Sequence, residues 1–357
     1  MNIYGMGVLF NRGRGIASYE AALRQGWQKP SEVEAPYGPG GTYPVYQVDL
    51  EQIPDRTILK KMRRSDKLSK MAVLAAHDAV DDCGIPDIRQ KNVGIIVATG
   101  HGAHPTTFEF LDGILDFGEA AASPTVFSNS VHNAAASYIA SVLDIHGPTL
   151  TVTQFLFSFQ AALQLAKVWL EEERCDYVLV GSADLYGEVM GYIGNSMLTT
   201  ADDGKIRPFH FKPSSHVPGE GSVFFLAGNG PSQSVYCSVA DVSVGGDQGD
   251  GAPADLIILD ADGMLPDETA YLASVSGDIP AASYTPLFGS MMTGSAFTCA
   301  AGALMLKNQV LYPNPVVDNP HDVRLLKEKT DAPARAIHCI RYNAHAERAV
   351  INLRGAP

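Results

Sequence analysis

The sequence has 357 residues, of which 46% are hydrophobic and 18% charged, so it is long enough to bury one large core or two fused halves of ordinary size. Its formal net charge of −13 disfavours nucleic acid and anionic membranes as partners, because both attract basic surfaces. No apolar run reaches the roughly 18 residues of a membrane span, and the N-terminal apolar stretch is too short for a signal peptide. We therefore expect a cytoplasmic protein without membrane insertion.

The cysteines and histidines give no sign of a metal site. The five cysteines are scattered and never paired as CxxC, which is typical of small buried hydrophobic residues. His101 and His104 are close in sequence, but no carboxylate or thiolate stands at metal-binding spacing from them. We expect neither a bound metal nor a cofactor.

Near the N-terminus, one basic segment interrupts the acidic sequence. It spans residues 59–70 and reads LKKMRRSDKLSK, with Lys60, Lys61, Arg63 and Arg64 at its centre. A solvated start of a helix explains these charges. A local contact for an acidic partner is the alternative.

Strands and helices alternate along the next part of the chain. Buried strands are predicted at 93–100, 149–154, 177–183 and 256–262 from their continuous apolar runs. Helices are predicted at 65–84, where Gly84 is placed as a C-terminal stop, and at 158–173. This alternation predicts an α/β architecture.

The pattern changes after residue 200. A long polar loop leads into a strand at 222–228, and a Gly/Pro/Ser connector follows at about residue 230. We place a boundary there, between an N-terminal half (1–229) and a C-terminal half (230–357). The similar composition of the two halves suits an ancient duplication.

Several segments, in order, resemble the β-ketoacyl-acyl-carrier-protein synthases of the thiolase fold. The start GMGVLFNRGRGIASYEAALRQG is similar to the family's TGxGxxSPxGxxxxxxWxxLxxG. RPFHFKPSSHVPGEG resembles RPFDxxRDGFVxGEG, and GSMMTGSAFTCAAGALML resembles KSxxGHxxgAAGxxxli. The resemblance covers nearly the whole chain, and it implies two related α/β halves in a five-layered αβαβα arrangement.

The same resemblance implies that the family's catalytic residues are replaced in this chain. In such synthases a Cys at a helix N-terminus attacks an acyl thioester, and two His residues and a Lys assist the reaction. Aligning TVTQFLFSFQAALQLA with TVDTACSSSLVALHLA places Leu156 at the Cys position. Asp262 falls at the first His, Ser290 at the Lys and Ser295 at the second His. We expect a subunit that cannot condense acyl chains.

An enzyme with rebuilt chemistry remains the alternative. Ser158 lies two residues after Leu156 and would need a base within hydrogen-bond reach. Asp262 and His345 are the candidate partners, for a decarboxylase or a thioester hydrolase. This hypothesis predicts activity without any partner protein.

The chain most resembles the chain-length factors, which pair with an active ketosynthase in type II polyketide or fatty-acid-type systems. The resemblance implies a heterodimer formed edge to edge through the strand before the lost nucleophile, and an acyl carrier protein bound mainly by the partner. That strand contains Thr149, Leu150, Thr151, Val152, Thr153 and Gln154. A shortened C-terminal half, with DQGDGAPAD where the family carries a helix, favours the aryl polyene type.

Two apolar groups are candidates for shaping the partner's acyl tunnel. On the helical segment 104–117, core packing and tunnel lining are both consistent with the apolar stripes, and we favour tunnel lining for Phe108, Leu111 and Leu115. The second group is a plug that would fill the former active site, made of Phe155, Leu156 and Phe157. Lys60, Lys61, Arg63 and Arg64 are a candidate secondary contact for the carrier protein.

Overall fold

The chain forms a strand-rich α/β structure. The computed structural model describes every residue except 36, 38, 39, 231–234, 246–252, 276, 332, 356 and 357. Within these ranges the strands are β1 (Asn2–Phe10), β2 (Gly13–Arg14), β3 (Ser31–Glu34), β4 (Thr42–Val45), β5 (Val93–Ala98), β6 (Thr149–Val152), β7 (Tyr177–Asp184), β8 (Gly221–Gly228), β9 (Cys237–Val244), β10 (Leu256–Leu259), β11 (Ala281–Ala282), β12 (Ala336–Tyr342) and β13 (Arg348–Arg354).

Helices connect these strands. They are α1 (Ile16–Gln25), α2 (Arg56–Lys61), α3 (Lys67–Asp82), α4 (His104–Phe117), α5 (Pro124–Ser130), α6 (Ala134–Leu143), α7 (Ser158–Glu171), α8 (Glu188–Met197) and α9 (Ser295–Asn308). Short 3₁₀ helices lie at Leu50–Gln52, Ile88–Gln90, Glu119–Ala121, Phe155–Phe157, Thr269–Ser274 and Thr285–Leu287. No helix in the described part of the chain has both the length and the apolar character that crossing a membrane requires.

The strand order repeats itself in the two parts of the sheet. From its centre outward, the first part runs β1, β8, β7, β5, β6, and the pairings are antiparallel, antiparallel, parallel and parallel. The second part runs β9, β13, β12, β10, β11 with the same succession of pairings. A short antiparallel contact between β1 and β9 joins them. The predicted fold of two related α/β halves is therefore confirmed.

Two helices pack between the halves. Helix α7 contacts β5 and β7 of the first part and β9 and β13 of the second, and α9 contacts β8 as well as β12 and β13. Helix α9 is buried from Ser295 to Leu306, as expected for a helix that is apolar on every side. Helices α3 and α6 cover the outer face of the first half. The start of α7 is therefore held deep in the molecule.

The predicted elements in the first half are close to those observed. The predicted strand at 93–100 ends at Ala98, and the predicted helix at 158–173 ends at Glu171. Gly84 has a φ of +63°, in the left-handed region where a helix commonly terminates in glycine, and α3 ends just before it. The strand predicted at 149–154 stops at Val152, because the chain turns there into the 3₁₀ helix. Part of the connector at residue 230 and of the shortened segment lies outside the described residues.

Candidate functional site

The elbow between β6 and α7 is built from apolar residues. Phe155 has a φ of +46°, a left-handed conformation that a bulky side chain adopts at a cost of about 1 kcal/mol or more. This conformation turns its ring outward, where it is 66% exposed and lies 6.2 Å from the His101 ring. Phe155 therefore does not fill the former active site, and its assignment to the plug was wrong.

Leu156 and Phe157 do point inward. Both are buried in one apolar cluster with Phe209 of the first half and with residues of the second half, among them Ala261 and Ile340. Neither side chain has an atom that can attack a carbonyl carbon. The position after the strand is therefore filled by packed hydrocarbon.

Ser158 is committed to holding the elbow together. Its hydroxyl accepts the backbone N–H of Gln154 at 2.7 Å and donates to the carbonyl of Phe155 at 2.8 Å, and the residue is fully buried. Asp262 is bound by Arg341 instead, and His345 lies exposed on the turn between β12 and β13. Among the described residues these three side chains form no hydrogen bond to one another, so the rebuilt active site is not assembled.

A buried ion pair holds Asp262, the residue that the sequence alignment places at the family's first His. The Arg341 guanidinium contacts Asp262 Oδ2 through both terminal nitrogens, each at 3.1 Å, and Arg341 is 1% exposed. Asp262 also accepts the backbone N–H of Met264 at 3.1 Å. Burial disfavours the charged guanidinium, but Asp262, Tyr271 and Asp260 together outweigh this effect, and the pKa of Arg341 is raised. Asp262 therefore serves as the counterion of a buried cation.

Ser290 and Ser295 belong to two adjoining hydrogen-bond networks. Ser290 donates its hydroxyl proton to the Asp262 carbonyl and accepts the N–H of Val217 at 3.1 Å. Ser295 donates to the Asp260 carboxylate and accepts a hydrogen bond of 2.8 Å from the Gln160 side chain of α7. The structure thus brings Asp262, Ser290 and Ser295 close together, but their polar groups are engaged in contacts that stabilise the protein.

Two further carboxylates complete this buried cluster. Asp260 accepts the hydroxyls of Ser295 and Thr298, and Glu268 accepts the backbone N–H groups of Asp262 and Gly263. Burial raises the pKa of Glu268 well above its usual range, and the charge of Asp262 adds to this effect. Asp260, Glu268 and Arg341 were not predicted from the sequence. For Asp260 and Arg341 the signal is a charged residue beside or within an apolar strand segment, as in LIILD and AIHCIRY.

The cysteines do not replace the lost nucleophile. All five are buried and unpaired, at positions 83, 175, 237, 299 and 339. Burial raises the pKa of each thiol, so the reactive thiolate form is disfavoured.

We expect Asp260→Asn to change how stability depends on pH. Burial raises the pKa of Asp260 to about 6 against an unfolded value near 3.8, and hydrogen bonds and Arg341 only partly oppose it. Because the folded pKa is the higher one, the stability present below pH 4 is lost as the pH rises through 6. The wild type should lose about 2 to 3 kcal/mol more than Asp260→Asn between pH 4 and 7 in urea unfolding.

The control for this prediction is Asp267→Asn. Asp267 is exposed, and its hydrogen bond with Lys212 lowers the pKa of its carboxyl, so its linkage to stability has the opposite sign. If Asp260→Asn and the wild type lose the same stability between pH 4 and 7, Asp260 is not titrating in the folded chain.

Comparisons with known proteins agree with the fold. Residues 1–229 match the family described as "Beta-ketoacyl synthase, N-terminal domain". The chain belongs to the β-ketoacyl synthase family. None of the curated protein sequences compared with the chain matches it significantly.

Solved structures show the same fold. "The ishigamide ketosynthase/chain length factor" superposes with a TM-score of 0.81 at 18% identity, covering 100% of this chain and 99% of that one. A β-ketoacyl synthase from Burkholderia phymatum STM815 gives 0.79 at 16% identity with coverages of 100% and 99%. A type II polyketide acyl-carrier protein in complex with its ketosynthase, "AntDE:AntF (apo)", gives 0.75 at 15% identity, with 99% of each chain covered.

The edge strand β6 of this ketosynthase-like chain borders an apolar surface. Among the strands of the described ranges, β6 pairs with β5 alone and ends the sheet. Ring contacts of 6.2 to 6.4 Å run from Phe155 through His101 and His104 to Phe108 on α4, and Phe110 contacts Phe127 of α5. Seven of the thirteen large apolar side chains that are exposed in the described chain lie on these elements: Leu111, Leu115, Phe117, Phe127, Val131, Leu150 and Phe155. We call this surface the β6 face.

The predicted tunnel residues on α4 divide into two groups. Phe108 is half-buried and lines a groove of about 790 Å³ between α4, α5 and Gly187. Leu111 and Leu115 are 46% and 81% exposed and do not line that groove. Within this chain, therefore, only Phe108 of the three faces a groove.

The basic residues at the end of α2 are exposed. Four basic side chains reach solvent: Lys60, Lys61, Arg63 and Arg64. Lys67 instead has a structural role, because it forms an ion pair with the buried Glu220. The Arg64 carbonyl accepts a hydrogen bond of 2.7 Å from Asn129 of α5. This basic patch therefore adjoins the β6 face.

Leu156→Cys should not restore acylation. The new thiol would be buried in hydrocarbon, which disfavours the thiolate, and Asp262, Ser290 and Ser295 would still stand at the other aligned positions. Intact-mass measurement after exposure to an acyl thioester should show no adduct on Leu156→Cys. Iodoacetamide should label the matched exposed control Phe155→Cys at least about tenfold faster. Acylation of Leu156→Cys would show that the elbow still supports catalysis.

Proposed function

We propose that this chain is a non-catalytic, chain-length-factor-like subunit. It would heterodimerise with an active β-ketoacyl synthase, stabilise it and shape its acyl tunnel during polyketide or fatty-acid-type biosynthesis. The observation that carries this proposal is the state of the elbow: Leu156 is packed in an apolar cluster, and Asp262 binds Arg341. The partner would therefore catalyse the condensation of acyl chains.

The β6 face supports a protein partner. An unpaired strand edge beside a large exposed apolar surface is a liability in a monomer and a typical interface in an assembly. The similar structure whose title names a ketosynthase and a chain length factor suggests which kind of partner to expect. In that assembly the partner would cover Leu111, Leu115 and Phe155, and Phe108 would contribute to a shared tunnel.

The alternative of a rebuilt enzyme has less support. The Ser158 hydroxyl is hydrogen-bonded to two backbone groups, and Asp262 is paired with Arg341. None of the hydrogen bonds described for Ser158 connects it to a base. The structure therefore shows no group that would deprotonate its hydroxyl. We therefore propose no independent reaction for this chain.

Three narrower expectations accompany the proposal. The division at residue 230 would mark the junction of two halves with one ancestral topology. A cytoplasmic location suits a subunit that works on carrier-bound acyl chains. The aryl polyene type remains a proposal that rests on the shortened C-terminal half and the loss of the catalytic residues.

Co-expression tests the proposal. The chain, produced with the ketosynthase encoded nearby, should co-purify as a heterodimer and should be poorly soluble when produced alone. A stable homodimer of this chain with acyltransferase activity would refute the proposal.

The basic patch should affect carrier-protein turnover but not assembly. The similar structure of a carrier protein with its ketosynthase makes such a contact relevant, and acyl carrier proteins are acidic. Replacing Lys60, Lys61, Arg63 and Arg64 by Gln should leave the heterodimer intact, lower carrier turnover about threefold or more, and reduce its salt sensitivity. The matched control neutralises the exposed Lys91, Lys327, Lys329 and Arg335. Equal turnover in both variants would exclude the contact.

A further inference from the structure

A basic pocket, separate from the β6 face and from the elbow, lies beside the end of α1. It has a volume of about 560 Å³ and is bordered by residues 205–207 and 313–318. Acidic residues outnumber basic ones by 39 to 26 in the sequence, but Asp318 is the one carboxylate among the described residues of this wall. The wall has four cationic residues, Arg24, Lys205, Arg207 and Lys327. The charge of the chain is therefore locally reversed here, in what we call the basic pocket.

The two arginines of the basic pocket have counterions. Arg24 pairs with Glu20 at 2.5 Å. Arg207 pairs with Asp203 at 2.6 Å, and its Nε lies 3.6 Å from Asp318 Oδ2. These contacts hold the two guanidinium groups in place and compensate their charge.

The two lysines have no such counterion. In the described part of the chain, neither Lys205 nor Lys327 forms an ion pair. Lys205 Nζ instead lies 4.4 Å from the centroid of the Trp27 ring, a cation–π contact that positions the ammonium group without neutralising it. The Trp27 ring is itself fixed, because its Nε1 donates to the Tyr46 hydroxyl at 3.0 Å. Two ammonium groups are therefore free to bind an anion.

The rest of the wall is largely apolar. Pro313, Pro315 and Val317 line the pocket together with Trp27, and Val317 is 56% exposed. An apolar wall that holds a few charged groups is typical of sites for small molecules, and the volume lies within their usual range. The pocket therefore suits a ligand that combines an anionic group with an apolar body.

We propose that the basic pocket binds a small aromatic carboxylate. Its four cations face three carboxylates, those of Asp318 and of the ion-pair partners Glu20 and Asp203, so the sum is +1 and one negative charge balances it. The carboxylate would bond Lys205 and Lys327, and the ring would lie against the apolar wall. The site lies wholly within the chain and does not depend on the proposed partner.

Benzoate and benzamide test this site, because they match in shape and differ in charge. Their affinities for the full chain are measured at low salt by calorimetry and ligand-observed NMR. Benzoate should bind at least about threefold more tightly than benzamide, as two exposed ion pairs allow. Acetate keeps the charge but lacks the ring, so it should bind at least about threefold more weakly than benzoate.

Trp27 supplies a second measurement. The sequence has two tryptophans, and Trp169 on α7 is buried and lies outside the pocket. Benzoate should draw the Lys205 ammonium group away from the Trp27 ring, so the indole emission should change with the midpoint found by calorimetry. Benzoate binding without a change in emission would place the ligand elsewhere and overturn the proposal.

Lys205→Gln and Lys327→Gln each remove one ammonium group. Because neither side chain forms an ion pair, both variants should fold normally, bind benzoate about threefold more weakly and bind benzamide within about twofold of the wild type. The matched control is Lys307→Gln, whose ammonium group lies 3.6 Å from the centroid of the Tyr236 ring, outside the pocket. Equal binding of benzoate and benzamide, binding of neither, or a loss of benzoate affinity no larger in the two pocket variants than in Lys307→Gln would overturn the proposal.

Discussion

Thr151→Pro is expected to abolish pairing with the ketosynthase partner proposed for this chain. The carbonyls of Pro148 and Val152 accept the N–H groups of Ile95 on β5 and of Thr99 just after it. Alternation along the strand therefore directs the N–H of Thr151 to the open edge. Proline removes that donor and its ring blocks the approach of a second strand. An acceptor left unpaired on the partner strand costs about 1 to 3 kcal/mol, which corresponds to binding about 5- to 150-fold weaker. Co-purification and analytical ultracentrifugation measure the change.

The control for this prediction is Thr151→Val. Valine keeps the N–H and the branched shape, and it removes a hydroxyl that is buried without a partner. It should therefore bind the partner like the wild type. Because β5 keeps its bonds, Thr151→Pro should alter the stability of the chain itself by only about 1 kcal/mol. A heterodimer that persists with Thr151→Pro would show that β6 is not the pairing edge.

Arg341→Met should cause the largest loss of stability of any single change proposed here. The substitution leaves Asp262 as an unpaired charge beside Asp260 and Glu268, all three buried. Removing one partner of a buried ion pair costs about 3 to 5 kcal/mol. The free energy of unfolding in urea, measured at pH 7, gives the difference.

The double variant Asp262→Leu with Arg341→Met distinguishes the pair from the packing around it. Replacing both charges by apolar side chains of similar volume removes the uncompensated charge, so most of the stability should return. A single variant that costs less than about 1 kcal/mol, or a double variant no more stable than the single one, would contradict the role assigned to this ion pair.

Much of the first half could be predicted from sequence because its strands are long, continuous apolar runs. β5 and β8 are buried along their whole length and β7 from Val178 onward, and such continuous apolar runs are readily recognised as buried strands. The alignment of Leu156, Asp262, Ser290 and Ser295 with the family's catalytic positions rests on the order of motifs along the chain, and it stays a prediction.

The second half was harder to predict for a physical reason. β12 contains His338 and Arg341 among apolar residues, and polar residues in a short run weaken the signal of a buried strand. Arg341 is tolerated there only because Asp262, far away in sequence, supplies the opposite charge. Local pattern carries no information about such a contact.

The orientation of Phe155 is a further case. Three apolar residues are adjacent in the sequence, Phe155, Leu156 and Phe157. Their similar chemistry predicts that all three side chains are buried. The left-handed backbone at Phe155 turns it to the surface, whereas its two neighbours stay buried. The positive φ of Phe155 thus places its side chain on the β6 face and not in the predicted plug.

Intact mass of both subunits tests the central claim most directly. The co-purified heterodimer is incubated with an acyl carrier protein that bears an acyl chain, and each subunit is then weighed by mass spectrometry. We predict an acyl adduct on the ketosynthase and an unchanged mass for this chain. An acyl adduct on this chain, formed as fast as on its partner, would contradict the account.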